Sequence, residues 1–150
     1  MVIVIKLIDR HVGNLICSFL GIFNKNKPIN GYDFRKILVV QLWGIGETIL
    51  TLPAIDALRK KFPNAEISVL ATTRNKDVYF SNKIINSIIA ISLNPFSIIK
   101  FIFKNFKKYD LAMDMEEYLN ISAILSFFAG KIVVGYSHGP RAKLYSKKIK

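Results

Sequence analysis

The sequence predicts a doubly wound α/β domain: a parallel sheet covered by helices on both faces. Short runs rich in Ile, Val and Leu recur five times, and stretches with helical spacing separate them. Nor do these runs alternate polar with apolar residues, as a strand with one wet face would. Right-handed crossovers between such strands give a sheet order of 3-2-1-4-5. The chain has 150 residues, 51% of them apolar, which suffices for one such domain and excludes wholesale disorder.

The elements follow in order. Met1 to Phe23 is rich in Ile, Leu and Val but is interrupted by Lys6, Asp9, Arg10, His11 and Asn14. Its clean apolar run from Val12 to Phe23 falls short of the ~20 residues a spanning helix needs. The start has no basic segment followed by a small-residue cleavage site, so it does not read as a secretory signal. Two readings stay open: a helix lying in a membrane interface, or one packed on the domain core. Asn24 to Asp33, with Pro28 and Gly31, reads as a linker. Residues 1–34 are therefore expected to form an amphipathic extension and linker, and residues 35–150 the domain.

The first strand, Ile37 to Leu42, ends at Gly44 and Gly46. Glu47 to Phe62 is helical, with Ile49, Leu50, Ile55 and Leu58 on one side, and Pro53 is expected to kink or restart it. Glu66 to Ala71 is the second strand, Asn75 to Asn82 a weaker helix, and Ser87 to Ile91 the third strand. An amphipathic helix over Pro95 to Tyr109 leads to a fourth strand, Tyr109 to Asp114. A helix over Tyr118 to Phe128 then leads to a fifth strand, Ile132 to Tyr136. No second lobe is expected after it.

A net charge of +12 favours an anionic partner: phosphorylated substrate, acidic lipid or nucleic acid. Nucleic acid ranks below the others, because no recognition helix or stacking-aromatic motif is present. The charge sits on the flanks, with +4 over residues 1–36, +4 over 95–108 and +6 over 131–150. The single cysteine, Cys17, excludes an internal disulfide, and His11 and His138 stand apart from any zinc spacing. In the helix from Pro95, Lys100, Lys104, Lys107 and Lys108 cluster on one side, and such a helix suits an anionic bilayer surface. The alternative is a crossover helix that buries its apolar face on the sheet and leaves its lysines solvated.

Ligands of doubly wound sheets bind outside the carboxyl ends of the strands, so the turn Leu42-Trp43-Gly44-Ile45-Gly46-Glu47-Thr48 is the most informative stretch. Its two glycines permit a tight turn and close approach of a ligand to the backbone. Ile49 stands where a dinucleotide fingerprint has its third glycine, and no acid ends the second strand. No Gly-Lys-Ser/Thr follows either, which excludes a P-loop. Glu47 has two explanations: a carboxylate favoured by the helix dipole by about 0.3–1 kcal/mol, or a general base at the ligand edge. Asp114 ends a strand, where it can hydrogen-bond a ligand hydroxyl or cap the next helix.

The segment Lys36 to Ile55, containing Gly44-Ile45-Gly46-Glu47-Thr48 and Pro53-Ala54, resembles the N-terminal signature of glycosyltransferase family 9, the lipopolysaccharide heptosyltransferases. Phe62 to Ile67, Arg74, Tyr109 to Asp114, Gly135-Tyr136 and Gly139 to Tyr145 extend the resemblance over residues 36–147. The resemblance implies the acceptor-binding half of a GT-B enzyme, built on a Rossmann-like fold. Such enzymes transfer heptose from ADP-heptose to a membrane-anchored lipid A–core acceptor, with no metal or cofactor. It places the catalytic base at Glu47, and substrate contacts at Gly44, Gly46, Thr48, Arg74, Asp114 and Arg141. Arg74, Arg141 and His138 follow strand ends, where acceptor phosphates are expected, although ordinary surface charge also explains them.

Two departures stand out: Glu47 where the family has Asp, and Met115-Glu116-Glu117 where Gln-Gly is common. The donor-binding half of the family is expected to be absent, so transfer would need a separate domain or chain. The expected partners are an anionic glycolipid and a membrane surface, at the cytoplasmic side of the inner membrane and peripheral to it. A catalytically silent glycolipid-binding module is the alternative.

Overall fold

A computed structural model describes residues 8–24 and 33–149. Six strands form one parallel sheet: β1 (Lys36–Val40), β2 (Glu66–Thr72), β3 (Ser87–Ile91), β4 (Tyr109–Asp114), β5 (Gly130–Tyr136) and β6 (Lys147–Ile149). Their spatial order is β3-β2-β1-β4-β5-β6. The predicted five-strand order is contained in it. The added edge strand β6 pairs with β5 in the register Val134↔Lys147. Its sequence, Lys-Lys-Ile, is polar and fully exposed, so it carries none of the apolar signal that marks the other strands.

Each central strand sends alternate residues to opposite faces, and both faces are covered. Ile37 and Val39 of β1 pack beneath α2 (Ile45–Lys61), together with Ile55, Ile67, Val69 and Tyr79. Leu38 and Val40 pack on the other face, in a core shared by α1 (Asn14–Gly21), α3 (Pro95–Asn105) and α4 (Asn120–Ala129). A short 3₁₀ turn, Pro140–Leu144, completes that second layer. Burying one such aliphatic side chain contributes about 1.5–3 kcal/mol, so the doubly apolar strands dominate the fold's stability.

Four local expectations change. The α2 helix runs unbroken through Pro53. The carbonyl left without its amide partner belongs to exposed Ile49, where water can satisfy it, and Thr48 and Thr51 bond back to earlier carbonyls on the buried side. The weak helix after β2 shrinks to one 3₁₀ turn, Lys76–Tyr79. The α3 helix ends at Asn105, because Lys107 adopts a left-handed backbone and turns its ammonium to the carbonyls of Phe127 and Gly130. Lys107 therefore caps the C-terminus of α4 and leaves the expected lysine cluster. Finally, α4 begins at Asn120, where the Asp9 carboxylate accepts from the amides of Asn120 and Ile121, both at 2.8 Å.

That cap ties the N-terminal segment to the domain. A π-helical turn, Asp9–Gly13, leads into α1. Gly13, Cys17 and Gly21 lie four apart and face inward. A Cβ at Gly13 would stand 2.6 Å from Asn120, and one at Gly21 2.6 Å from Lys143. Cys17 is fully buried, and burial pushes its thiol up to about 12, which keeps it protonated and inert. Of the two readings of this stretch, packing on the core describes its inner face. Residues 1–7 and 25–32, which include most of the expected linker, lie outside the described residues.

Candidate functional site

The carboxyl ends of β1, β4 and β5 open into a cavity of about 660 Å³. Its first wall is the β1–α2 turn. Gly44 has φ 76°, a left-handed conformation that L side chains rarely adopt. A Cβ there would lie 1.7 Å from Oε2 of Glu47, so the carboxylate folds back over the glycine at the start of the helix. Glu47 is exposed and lines the cavity. A Cβ at Gly46 would meet nothing within 4 Å, so the turn is open on that side.

The turn is held from below. Thr48 is buried; its hydroxyl donates to the Gly44 carbonyl and accepts from Asn75 Nδ2 at 2.8 Å. Asn75 also donates to the Gln41 carbonyl and accepts from the amide and hydroxyl of Thr72. One buried amide thus clamps the ends of β1 and β2 to the start of α2. Arg74 is exposed, and its guanidinium stacks 5.3 Å from the ring of Trp43, a residue of the cavity wall. His138 lines the cavity as well, with its ring stacked on Tyr136.

The second wall is a buried polar cluster. Asp114 and Arg141 are each 2% exposed and form an ion pair of 2.8 Å. Oδ2 of Asp114 also accepts from Tyr145 (2.7 Å) and Ser122 (3.0 Å), while Oδ1 accepts from the amide of Glu116. Burial raises the Asp114 carboxyl, against the pull of Arg141 and the two hydroxyls. Arg141 donates Nε to Tyr145, and Nη2 to Ser122 and the Glu116 carbonyl. Both carboxylate oxygens of Asp114 are therefore engaged within the chain, and Arg141 is half-used: its Nη1 is buried with no hydrogen-bond partner among the described residues.

Glu116 links the two walls. Its Oε2 accepts from the Trp43 amide (3.1 Å) and from Gln41 Nε2 (3.3 Å). Burial first, and then the nearby Asp114 charge, raise its carboxyl to about 7. Gln41 Oε1, like Arg141 Nη1, is buried without a partner among the described residues, and both residues line the cavity.

Of the residues expected from the sequence, Glu47, His138 and Arg141 line the opening; Asp114 lies buried behind Arg141, and Gly44, Gly46, Thr48 and Arg74 are outside the lining. Gln41, Asn75, Glu116, Ser122 and Tyr145 were missed by sequence reasoning. Only Glu116 left a trace there, as a departure from the family pattern. Among the described residues, no group of three or more His, Cys, Asp or Glu could hold a metal.

No protein family model and no curated protein matches the chain. Solved structures do. The glycosyl transferase family 9 protein from Veillonella parvula matches with TM-score 0.66 and 20% identity, over 79% of this chain and 37% of that one. The E. coli heptosyltransferase WaaC, with ADP-2-deoxy-2-fluoro heptose, matches at 0.64 and 17%, over 76% of this chain and 42% of that one. The E. coli ADP-heptose LPS heptosyltransferase II matches at 0.58 and 18%, over 77% and 35%. The chain shares its fold with these glycosyltransferases. It spans 35–42% of the length of these three.

Proposed function

We propose that this chain is the acceptor-binding part of a glycosyltransferase that moves heptose or a related sugar from a nucleotide sugar, ADP-heptose in the first instance, to a lipopolysaccharide-core-type acceptor. One observation carries the reading: an exposed carboxylate, Glu47, stands at a glycine-bent corner over a cavity at the carboxyl edge of a parallel sheet. This is where open α/β sheets bind their ligands, and the solved glycosyltransferases share the fold.

The chemistry that follows is one inverting displacement. Glu47 takes the proton of an acceptor hydroxyl as its oxygen attacks the anomeric carbon. The bond from that carbon to the diphosphate oxygen breaks, and the nucleoside diphosphate leaves with the electron pair. General-base action of this kind contributes roughly 10²–10⁴-fold. Holding the donor and the departing diphosphate falls to a separate domain or chain.

The inner wall suits a neutral hydroxyl better than a phosphate. Arg141 is already neutralised by Asp114, and Glu116 stands between it and Gln41.

The test combines the chain with a donor-binding domain, ADP-heptose and a deacylated core oligosaccharide, and follows transfer by mass spectrometry. Glu47→Gln is expected to lower turnover about 10²–10⁴-fold. Turnover untouched by the substitution removes the base, and no transfer with any donor domain favours a silent glycolipid-binding module.

A further inference from the structure

One whole side of the sheet is built to meet something apolar and negatively charged. The α1, α4 and α3 helices lie side by side on it. Because α1 seats itself through Gly13, Cys17 and Gly21, its larger residues face outward: Leu15 is 74% exposed, Phe19 62% and Phe23 66%. On α3 and just after it, Phe96, Ile99, Phe103 and Phe106 are also exposed, Phe103 by 82%. Phe106 meets Phe128 of α4, which continues the aromatic row between the outer helices. Exposed apolar side chains clustered in this way mark an interaction surface.

The charge on this layer has one sign. Residues 10–24, 94–109 and 118–149 contain no Asp or Glu. The one acid at its edge, Asp9, is consumed in capping α4. Lys100, Lys104 and Lys108 are exposed on the same side as the phenylalanines, and Arg10 is exposed at the start of α1. The opposite layer carries Glu47, Asp56 and Asp77 among its helical residues. A second copy of so basic a face would repel it, whereas an anionic bilayer complements both its charge and its apolar side chains.

Position adds the last element. Asp9, Arg10 and Asn14 line the cavity, so the apolar helix starts at the cavity's rim. We propose that the α1–α4–α3 layer docks on an anionic bilayer and sets the cavity mouth beside the lipid headgroups. A lipid-anchored glycan would then reach Glu47 without leaving the membrane, a consequence that rests on the transferase reading. The docking itself does not.

The experiment uses the full chain with vesicles of phosphatidylcholine alone or with 30 mole per cent phosphatidylglycerol, read by co-sedimentation. Binding is expected only with phosphatidylglycerol and is expected to weaken with salt. Phe19→Glu combined with Phe103→Glu is expected to lower partitioning at least tenfold, with circular dichroism unchanged. Neutralising Lys100, Lys104 and Lys108 to Gln costs about fivefold per lysine. Phe80→Glu, an exposed phenylalanine on the other layer, is expected to have no effect. Trp43, the sole tryptophan and part of the cavity wall, is expected to transfer energy to dansyl-labelled headgroups.

Equal binding to neutral vesicles, equal loss in Phe80→Glu, or self-association abolished by the double substitution would overturn the docking face. Binding without energy transfer from Trp43 would overturn the placement of the cavity. Transfer to a deacylated, water-soluble acceptor reads the catalytic proposal separately, because the double substitution leaves that activity intact if only docking is lost.

Discussion

Glu47 and Asp114 stand at the carboxyl ends of neighbouring strands, β1 and β4, one lining the cavity and the other buried behind its wall, and they live under opposite physical rules. Glu47 is exposed and hydrogen-bonds no described residue, so its carboxylate is free to meet a ligand. Asp114 is enclosed, and three internal donors plus a guanidinium occupy it. Under the proposed function, the contrast separates a group kept for chemistry from one spent on holding the site's shape, although both are acids at strand ends.

Breaking the buried side should cost most. Arg141→Leu leaves the Asp114 carboxylate without its cation and is expected to destabilise the fold by about 3–5 kcal/mol, measured by urea unfolding. The pair thus acts as a strut for the loop after β5 as well as a lining group.

Glu116 comes next, through pH. Its carboxyl is raised from 4.5 to about 7 in the fold, so between those values the folded state holds a proton that the unfolded state has lost. Stability therefore falls as pH rises from about 4.5 through 7, by on the order of 3 kcal/mol, and the raised Asp114 carboxyl acts in the same direction. Glu116→Gln keeps an acceptor for the Trp43 amide and is expected to flatten this slope in thermal melts across the window.

The turn gives a smaller effect and a sharper contrast. Gly44→Ala forces a side chain into φ 76° and against the Glu47 carboxylate, for an expected loss of about 1–2 kcal/mol. Gly46→Ala has open space and should cost less than ~0.5 kcal/mol. Glu47→Gln belongs with these small stability effects, at most ~1 kcal/mol of helix-dipole interaction, while under the proposed function transfer collapses. A large stability loss there would make Glu47 structural and erase the contrast.

What the sequence reveals divides along the same line. The doubly apolar runs 37–42, 66–71 and 132–136 report their own burial, so the sheet and its order are legible from them. The glycine-bent corner is local too, and so is Glu47. The Asp114–Arg141–Tyr145 cluster is not, because Asp114 lies 27 and 31 residues from its two partners and each resembles an ordinary surface residue until the fold joins them. Strand β6 was invisible because an edge strand of lysines carries no apolar pattern. Gln41 and Asn75 were invisible because a buried amide has no periodicity.

The Asp9 carboxylate joins the amides of Asn120 and Ile121 across 111 and 112 residues. During synthesis, then, the first helix emerges from the ribosome long before its seat on the fourth helix has been made. For most of translation its oily side and its acid are both without a home. Whatever greets the nascent chain in that interval, chaperone or lipid, meets an apolar helix that still lacks its seat.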